Sequence, residues 1–448
     1  MHLVAELRYK MKIIKKLFIV FLAVFCLNAI AQNRIVRRGP KNNRVSKYAQ
    51  ITNNSSKSSK KNTQNEKVNK DESFTTETLC LTALNGVQYS QMLLNYLFLK
   101  LGQPLDDETY RQIWLFYSSR QDNSYALSVL SWCYALGKGV EQNLEKALDY
   151  AQKSANNSNP WGWASLGFCY QQTMSSQLDE KRVFDYYKKA ADAGVVMAQY
   201  AIGGLYHTGR GVARNEKESI RYYELAAQQG HPTAKCLLGL HYAACFNDEK
   251  AFKLYKESAE MYDVWGMCFL GKAYLEGKGT PVDFTQAFAW LQKAIDNGDP
   301  EAMCVMGNCY CNGNGVIKNL EKAFLLYKVA AENGWKDAYY NLGAMYYYGY
   351  GTNKNNDEAL KWLLLAINDN LGNGELEYTV AKIYQEKGDL QNANIFVAAA
   401  ISKDYQQAYL LQAKLLVLQG SKKRAKEILK TAIAMGVSGA EELLKTIK

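Results

Sequence analysis

The sequence predicts an all-α protein built from stacked antiparallel helix pairs. Three observations lead to this fold class: a repeat of about 36 residues, a Gly-x-Gly turn at a fixed place in most repeats, and small residues seven apart in its second half. Only 6 Pro interrupt 448 residues, and 48% of the chain is hydrophobic. That composition excludes a wholly disordered or collagen-like chain and supplies enough apolar surface for packed helices.

The net charge of +11 is concentrated at the amino-terminal end of the chain. Residues 1–72 hold 16 Lys or Arg and 4 Asp or Glu, so the remaining residues are close to neutral. A neutral body does not offer the continuous basic surface that binding to phosphate backbones requires. We therefore expect no nucleic-acid partner.

Residues 1–31 have the pattern of an export signal. A positive region is followed by the uninterrupted apolar run Leu17–Leu27, and Ala29-Ile30-Ala31 fits the small-x-small cleavage pattern. The run is well short of the ~20 apolar residues that cross a bilayer, so we expect cleavage after Ala31 rather than an uncleaved anchor. The leader predicts an exported protein of a bacterial periplasm or cell envelope.

Residues 32–78 are predicted to form a disordered basic tether. Asn, Lys, Ser, Thr and Gln dominate this segment, 11 of its residues are Lys or Arg, and large apolar side chains are few. Such a segment cannot bury enough surface to offset the entropy lost on ordering. Its charge allows weak contact with an anionic membrane or wall polymer, although a solvated linker is the simpler interpretation.

A tyrosine recurs at regular intervals through the rest of the chain. In six repeats, a Leu-Gly, Ile-Gly or Met-Gly pair begins four residues before this tyrosine. The tyrosines, 32 to 38 residues apart, are Tyr134, Tyr170, Tyr206, Tyr242, Tyr274, Tyr310, Tyr346 and Tyr384. This spacing predicts nine helix pairs between Tyr125 and Lys448. Residues 79–123 are predicted to form degenerate capping helices at the amino-terminal end.

Within each repeat, the residues predict where the first helix ends and the second begins. A glycine inside a helix lowers helix propensity, so its recurrence after the Leu needs a physical reason. The reason that we infer is close approach of the partner helix, where a Cβ atom would clash. The first Gly of Gly-x-Gly can end the first helix in the left-handed conformation. Capping boxes such as Asn215–Glu218 and Asp283–Gln286 then start the second helix. Alanines seven apart, such as Ala359 and Ala366, keep one face of that helix slim.

This pattern resembles the Sel-1-like repeat family, a branch of the tetratricopeptide-like class. The resemblance rests on the form A-x-x-x-L-G-x-x-Y-x-x-G-x-G-V followed by K-A-x-x-Y-Y-x-K-A-A-x-x-G, of which Ala198–Val212 and the residues after it are close to a full copy. It covers residues 124–373 strongly and implies a right-handed α-solenoid. Residues 374–448, with turns four residues shorter, have the length of plain tetratricopeptide-like repeats and a cap.

Sel-1-like proteins act as adaptors, so the resemblance implies a non-enzymatic scaffold that binds protein or peptide partners on the concave face of the solenoid. In this class the first helix of each pair lines that face. The predicted groove residues are Tyr125, Trp132, Trp161, Phe168, Tyr200, His207, Trp265, Tyr340, Tyr347 and Tyr348. Aromatic side chains give large contact areas with few rotors, but Tyr and Trp also fill space between helices, so core packing stays open for each.

The sequence offers no catalytic constellation, metal site or cofactor motif. No Gly-x-Gly is followed by a third glycine at dinucleotide-binding spacing, and the only Ser-x-x-Lys is Ser58–Lys61 in the tether. A zinc site at His241, Cys245 and Cys236 is conceivable, but a packed histidine and buried thiols are the simpler interpretation. Two alternative functions stay open: binding of peptidoglycan or polysaccharide, and β-lactam hydrolysis, with which some cysteine-rich relatives are associated.

Nine cysteines remain after the leader, with its Cys26, is removed. Some Sel-1-like relatives staple each repeat with a disulfide, but here the helix position that would supply one thiol is Ala or Ser. Equivalent positions in neighbouring repeats should lie about 8–10 Å apart, which is too far for a disulfide. We expect small, semi-buried hydrophobic side chains, with a reactive stripe of thiols as the alternative.

Overall fold

The computed structural model describes residues 76–86, 106–173, 177–369 and 373–447, and the predicted leader lies outside these residues. Over the described ranges the chain forms 21 helices and no strand. The chain divides into two compact units, residues 1–266 (unit 1) and 267–448 (unit 2). No helix among the described residues is both long and apolar enough to cross a membrane.

Unit 1 contains two single helices followed by four helix pairs. The single helices are α1 (Thr76–Leu84) and α2 (Asp107–Ser118), and the pairs are α3 (Ser124–Leu136) with α4 (Leu144–Asn156), α5 (Pro160–Thr173) with α6 (Gln177–Asp192), α7 (Val196–Thr208) with α8 (Glu216–Gln228), and α9 (Pro232–Ala244) with α10 (Asp248–Glu260). The hydroxyl of Tyr117 in α2 donates to the carbonyl of Cys80 in α1 at 3.0 Å. Helix α1 begins at Thr76, within the last three residues of the segment predicted as tether, and the boundaries of that segment stay a prediction.

The division between the units falls within α11, and unit 2 contains the remaining helices. These are α11 (Val264–Glu276) with α12 (Phe284–Asp296), α13 (Pro300–Asn312) with α14 (Leu320–Glu332), α15 (Asp337–Tyr348) with α16 (Asn356–Asn368), α17 (Gly374–Glu386) with α18 (Leu390–Ser402), α19 (Ala408–Leu418) with α20 (Lys422–Ala434), and the final α21 (Ala440–Thr446). We call the first helix of each pair helix A and the second helix B. The described residues thus contain the nine predicted pairs.

The glycine of the Leu-Gly pair lets helix A lie directly against helix B. A Cβ added at Gly203 in unit 1 would lie 2.6 Å from Cε1 of Tyr223, and one at Gly343 in unit 2 would lie 2.6 Å from Cγ of Leu363. Real Cβ atoms do not approach neighbours this closely. The reason predicted for glycine at this place is therefore confirmed.

The recurring tyrosine of helix A stacks on an aromatic ring of helix B. Stacked pairs with ring centroids 5.6 to 6.0 Å apart are Tyr134–Tyr150, Tyr170–Tyr186, Tyr206–Tyr222 and Tyr384–Phe396. The partner of Tyr384 comes 12 residues later instead of 16, because the turn between α17 and α18 is four residues shorter. The stack thus has the same place in repeats of both turn lengths.

The turn between the helices follows the prediction, but the capping box is half formed. Gly209 ends α7 with a φ of 75°. Asn215 caps α8 by accepting the N–H of Glu218 at 3.2 Å. The Glu218 carboxylate instead accepts from Arg221, and the Asn215 N–H donates to the carbonyl of Tyr206 in helix A at 3.0 Å. A carbonyl at the end of helix A therefore replaces the second bond of the predicted box.

Each unit has its own apolar core along the helix pairs. The core of unit 1 is aromatic and includes the fully buried Tyr110 and Tyr117. In unit 2, Ala359 and Ala366 of α16 are fully buried against aliphatic side chains such as Val380 of α17. The alanines seven apart thus give helix B the slim face that the sequence predicted.

Candidate binding surface

The ten residues predicted to line a groove differ widely in exposure. Tyr125, Trp132, Trp161 and Tyr347 are buried, Phe168, Tyr200 and Tyr340 are half-buried, and His207, Trp265 and Tyr348 are exposed. Tyr125, Trp161 and Tyr347 have little surface left for a partner, whereas Trp132 lines a cavity. Whether any of the ten contacts a partner stays a prediction.

Three of the buried rings form an edge-to-face chain inside unit 1. The ring centroid of Trp161 lies 5.7 Å from that of Tyr125 and 5.5 Å from that of Trp132, and Tyr125 lies 6.2 Å from Tyr117 of α2. Such pairs stabilise the core by about 0.5–1.5 kcal/mol beyond their buried area. Tyr125 and Trp161 therefore lie in the core of unit 1, and their predicted contact with a partner stays a prediction.

An apolar cavity of about 430 Å³ opens in unit 1, on the side of the helix pairs where the A helices lie (the helix A face). Helix A residues of three successive pairs line it, namely Trp132 of α3, Phe168 of α5 and Tyr200 of α7. The structure thus brings together three of the predicted residues from different repeats. A volume of this size is within the range of ligand pockets, which are about 300–1,000 Å³. We call this feature the unit 1 cavity.

One helix A position that lines the cavity carries no side chain. Gly204 lines the cavity, and a Cβ added there would meet only the hydroxyl of Tyr223, at 3.6 Å. In the other repeats the residue after the Leu-Gly pair has a side chain, as Phe168 and Leu240 do. The sequence analysis missed this position. The signal that could have found it is the doubled glycine, Gly203-Gly204.

Polar groups lie at the edge of the unit 1 cavity. The Tyr187 hydroxyl donates to Oε1 of Gln171 at 3.1 Å, and Arg210, whose Nε is 3.2 Å from Oε1 of Glu180, adds a cation at the border. Burial raises the pKa of Tyr223 to about 12 and also raises the pKa of Tyr187. Both phenols are therefore neutral at physiological pH, so the cavity favours an apolar group with polar flanks.

The predicted tyrosines of unit 2 play unequal roles. Tyr347 is buried, and its hydroxyl donates to Oε1 of Glu386 at 2.9 Å. Lys354 donates to the other oxygen of Glu386 at 2.8 Å, and these hydrogen bonds lower the pKa of Glu386. Tyr348, by contrast, is 52% exposed, and its ring centroid is 4.8 Å from that of Tyr347. Replacing Tyr347 would remove a buried ring and its hydrogen bond to Glu386, whereas the exposed ring of Tyr348 can be replaced at a smaller cost.

His207 and Trp265, which were also predicted to line a groove, lie outside the unit 1 cavity. Nδ1 of the exposed His207 is 3.1 Å from Oε2 of Glu216 in the first turn of α8. Trp265 is 49% exposed. Both are open to solvent, and neither lines the cavity.

The conceivable zinc ligands do not assemble into a site in the described residues. Nε2 of His241 lies 3.9 Å from Sγ of Cys245, whereas Cys236 is fully buried in α9. The part of the chain that the structure describes has no group of three His, Cys, Asp or Glu side chains that could hold a metal.

The cysteines behave as buried apolar side chains rather than as a reactive stripe. None of the nine in the described residues forms a disulfide, and seven are buried. Burial raises the pKa values of Cys169 and Cys304 to about 11 each, which disfavours the nucleophilic thiolate. Cys245 is exposed and Cys311 is half-buried.

Titration of the native chain from Gln32 with Ellman's reagent at pH 8 should therefore detect one fast thiol, Cys245, and one slower thiol, Cys311. The other seven should react only after unfolding in denaturant, because they lie inside the helix pairs. Replacing Cys245 with serine should remove the fast phase. Rapid reaction of most thiols in the native chain would contradict the buried assignment and restore the reactive stripe.

Together these features define a class of protein: a tetratricopeptide-like helical-repeat protein, all-helical and packed in pairs, as the sequence predicted. Matches to the Sel1 repeat cover residues 124–159, 166–195, 196–231, 238–263, 266–299, 300–335 and 336–371. These matches make up more than half of the chain, which therefore belongs to the Sel1 repeat family.

Some solved structures are similar to this chain. A protective antigen of uropathogenic Escherichia coli strains, with an SLR fold, is 24% identical and matches over 83% of this chain and 81% of that chain with a TM-score of 0.54. A Sel1 repeat protein from Oxalobacter formigenes is 31% identical over 50% of this chain and 94% of that chain, with a TM-score of 0.46. No curated protein sequence matches the chain significantly.

Proposed function

We propose that the chain is an exported, non-enzymatic scaffold that binds a partner protein through the unit 1 cavity. The observation that carries this proposal is an apolar cavity of about 430 Å³ on the helix A face, lined by aromatic residues of three repeats. Stacked helical repeats offer extended surfaces of this kind to partners, and their fold alone does not select the ligand. The assignment of the partner-binding site to this part of the surface therefore rests on the cavity.

The chemistry of the cavity favours a peptide segment with one large apolar side chain. Trp132, Phe168 and Met197 supply an apolar wall, and Tyr200 is half-buried beside them. Gln171 and Arg210 at the edge can pair with the carbonyl groups of a bound backbone. Aromatic anchors in a desolvated pocket are typical of the residues that dominate binding free energy.

Filling the cavity should block the partner without harming the fold. We expect Gly204→Leu to weaken partner binding at least tenfold, because the leucine side chain would take the space of the bound group. Stability should be retained or slightly raised, because leucine has a helix propensity about 0.8 kcal/mol better than glycine. The measurement is capture of partners from bacterial envelope extract by the tagged chain, quantified by mass spectrometry, with a thermal melt of each variant.

Two matched variants make this experiment interpretable. Gly204→Ala adds a single methyl group in ordinary contact distance and should retain most binding. Lys217→Leu places a leucine on the exposed surface of α8 and controls for added hydrophobicity. Equal capture by wild type and Gly204→Leu would remove the cavity from the proposal, whereas recovery of wall polymer alone would favour a polymer-binding function.

Export is proposed from the leader of the sequence. Cells that express the full gene should yield a mature chain beginning at Gln32 in the envelope fraction, as measured by intact mass and amino-terminal sequencing. Replacing Ala29 and Ala31 with bulky residues should block this cleavage. A cytoplasmic chain with an intact leader would contradict the proposal of export but would leave the cavity proposal standing.

A further inference from the structure

Unit 2 presents a cluster of partly exposed tyrosines that the sequence analysis largely missed. The tyrosine cluster consists of Tyr340, Tyr348, Tyr350, Tyr378 and Tyr405, which lie on α15, on α17 and in the turns after α15 and α18. Tyr348 stacks on Tyr350 with centroids 5.3 Å apart, and Tyr378 lies 5.1 Å from Tyr405. Tyr348 and Tyr350 are 52% and 48% exposed, so ring area is available to solvent.

A carboxylate-bearing residue lies beside the tyrosine cluster. Glu375 is exposed in the first turn of α17, next to Gly374, where an added Cβ would lie 2.4 Å from Cβ of Tyr405. The charge of Glu375 contributes, after burial, to raising the pKa values of Tyr340, Tyr348 and Tyr405, so it lies near all three phenols. No ion pair within the described ranges engages Glu375.

A neighbouring arrangement in the same unit contains two lysines, one of which reaches a ring of the tyrosine cluster. There Lys354 pairs with Glu386 at 2.8 Å and lies 5.0 Å from the ring centroid of Tyr347. Lys382 lies 5.6 Å from the Tyr347 centroid and 5.7 Å from that of Tyr378. Over the described part of the chain, no Lys or Arg lies over the other four rings of the tyrosine cluster, which are those of Tyr340, Tyr348, Tyr350 and Tyr405.

We propose that the tyrosine cluster and Glu375 bind a basic side chain of a partner protein, with arginine the best fit. Partly exposed aromatic rings beside a carboxylate suit a guanidinium, because it stacks on aromatic faces and donates hydrogen bonds to a carboxylate at once. This surface is independent of the unit 1 cavity, so either proposal can fail alone.

The test compares two labelled peptides on the purified full-length chain. One is Gly-Arg-Gly-Arg-Gly, and in the other citrulline replaces both arginines, which keeps the shape and removes the charge. Fluorescence anisotropy should detect binding of the arginine peptide, weakened by added salt, and at least tenfold weaker binding of the citrulline peptide. Glu375→Gln and Tyr348→Ala should each weaken binding about three- to tenfold.

Matched variants separate a binding site from general electrostatic attraction. Glu441→Gln removes another exposed glutamate in the first turn of a helix, α21, and should leave binding unchanged. Tyr348→Phe keeps the ring and should bind like wild type, while thermal melts check that each variant is folded. Wild-type affinity of Glu375→Gln, equal binding of the citrulline peptide, or no binding of the arginine peptide at millimolar concentration would each overturn the proposal.

Discussion

Replacing Gly211 with alanine is expected to lower the free energy of unfolding of unit 1 by about 3–5 kcal/mol. Gly211 is the second glycine of a Gly-x-Gly turn and has a φ of 71°. An added Cβ would lie 2.2 Å from the carbonyl oxygen of Glu180 and 3.1 Å from the backbone nitrogen of Lys181. Because these neighbours are backbone atoms of α6, a side-chain rotation cannot relieve the contact.

The control variant for Gly211→Ala is Gly230→Ala in the same unit. Gly230 has a φ of 91°, but an added Cβ would have nothing within 4 Å. Its substitution should therefore cost only the backbone strain of the left-handed region, about 1–2 kcal/mol. The difference between the two variants isolates the close contact between the turn and the preceding helix B.

Urea unfolding followed by circular dichroism measures both variants. Helical repeats can unfold in more than one step, so the transition of unit 1 should be identified by the variants that shift it. A Gly211→Ala chain as stable as Gly230→Ala would contradict the close packing of this turn.

The helix pairs could be predicted because their signals are local and repeated. The glycines that correspond to Gly203 and Gly209 recur at fixed places in the repeats. The first allows close approach of helix B, and the second ends helix A in the left-handed conformation. The capping box was only half right because its second bond depends on tertiary structure. The backbone N–H of Asn215 is taken by a carbonyl of helix A, Tyr206, which the residues around the cap do not indicate.

The binding surfaces could be predicted only in part, because burial depends on neighbouring repeats. Tyr347 and Tyr348 are adjacent and equally aromatic, yet Glu386 of α17 anchors the first while the second stays exposed. The unit 1 cavity includes Gly204, which has no side chain and which a search for aromatic residues overlooks. Glu375 and Tyr405 lie beyond the strongest part of the repeat pattern and carry no repeat signal of their own.

Acidification from pH 7.5 to 5 is expected to cost unit 1 about 2 kcal/mol through His231 alone. His231 is fully buried, and burial lowers its pKa from 6.5 to about 3. Its Nδ1 accepts the N–H of Ala234 at 3.2 Å, which caps α9, and its ring stacks on that of Tyr200 with centroids 4.5 Å apart. The neutral ring is therefore part of the folded structure.

The direction of this effect follows from which state binds the proton first. In the unfolded chain His231 has its ordinary pKa of about 6.5. Below that pH the unfolded state therefore binds a proton that the folded state does not bind. The stability contribution of neutral His231 is complete above pH 6.5 and is lost progressively as the pH falls towards 3.

His231→Asn separates this effect from other acid-sensitive groups. Asparagine can still cap the helix but loses the stacking on Tyr200, so the variant should be about 1–2 kcal/mol less stable at pH 7.5. Its stability should then fall about 2 kcal/mol less than that of wild type between pH 7.5 and 5. Urea unfolding at several pH values measures both slopes, and parallel slopes would contradict a buried neutral histidine.

The corresponding helix cap in unit 2 should respond in the opposite sense. Asp299 caps α13 at the repeat position that His231 has before α9, and burial raises its carboxyl pKa from 3.8 to about 6. Between pH 6 and 4 the folded state therefore binds the proton more readily, and the cost of a buried charge beside Cys268 and Glu301 disappears. Acidification should therefore lower the stability contributed by the His231 cap in unit 1 and raise the stability contributed by the Asp299 cap in unit 2. A pH titration of unfolding should show these two opposite changes.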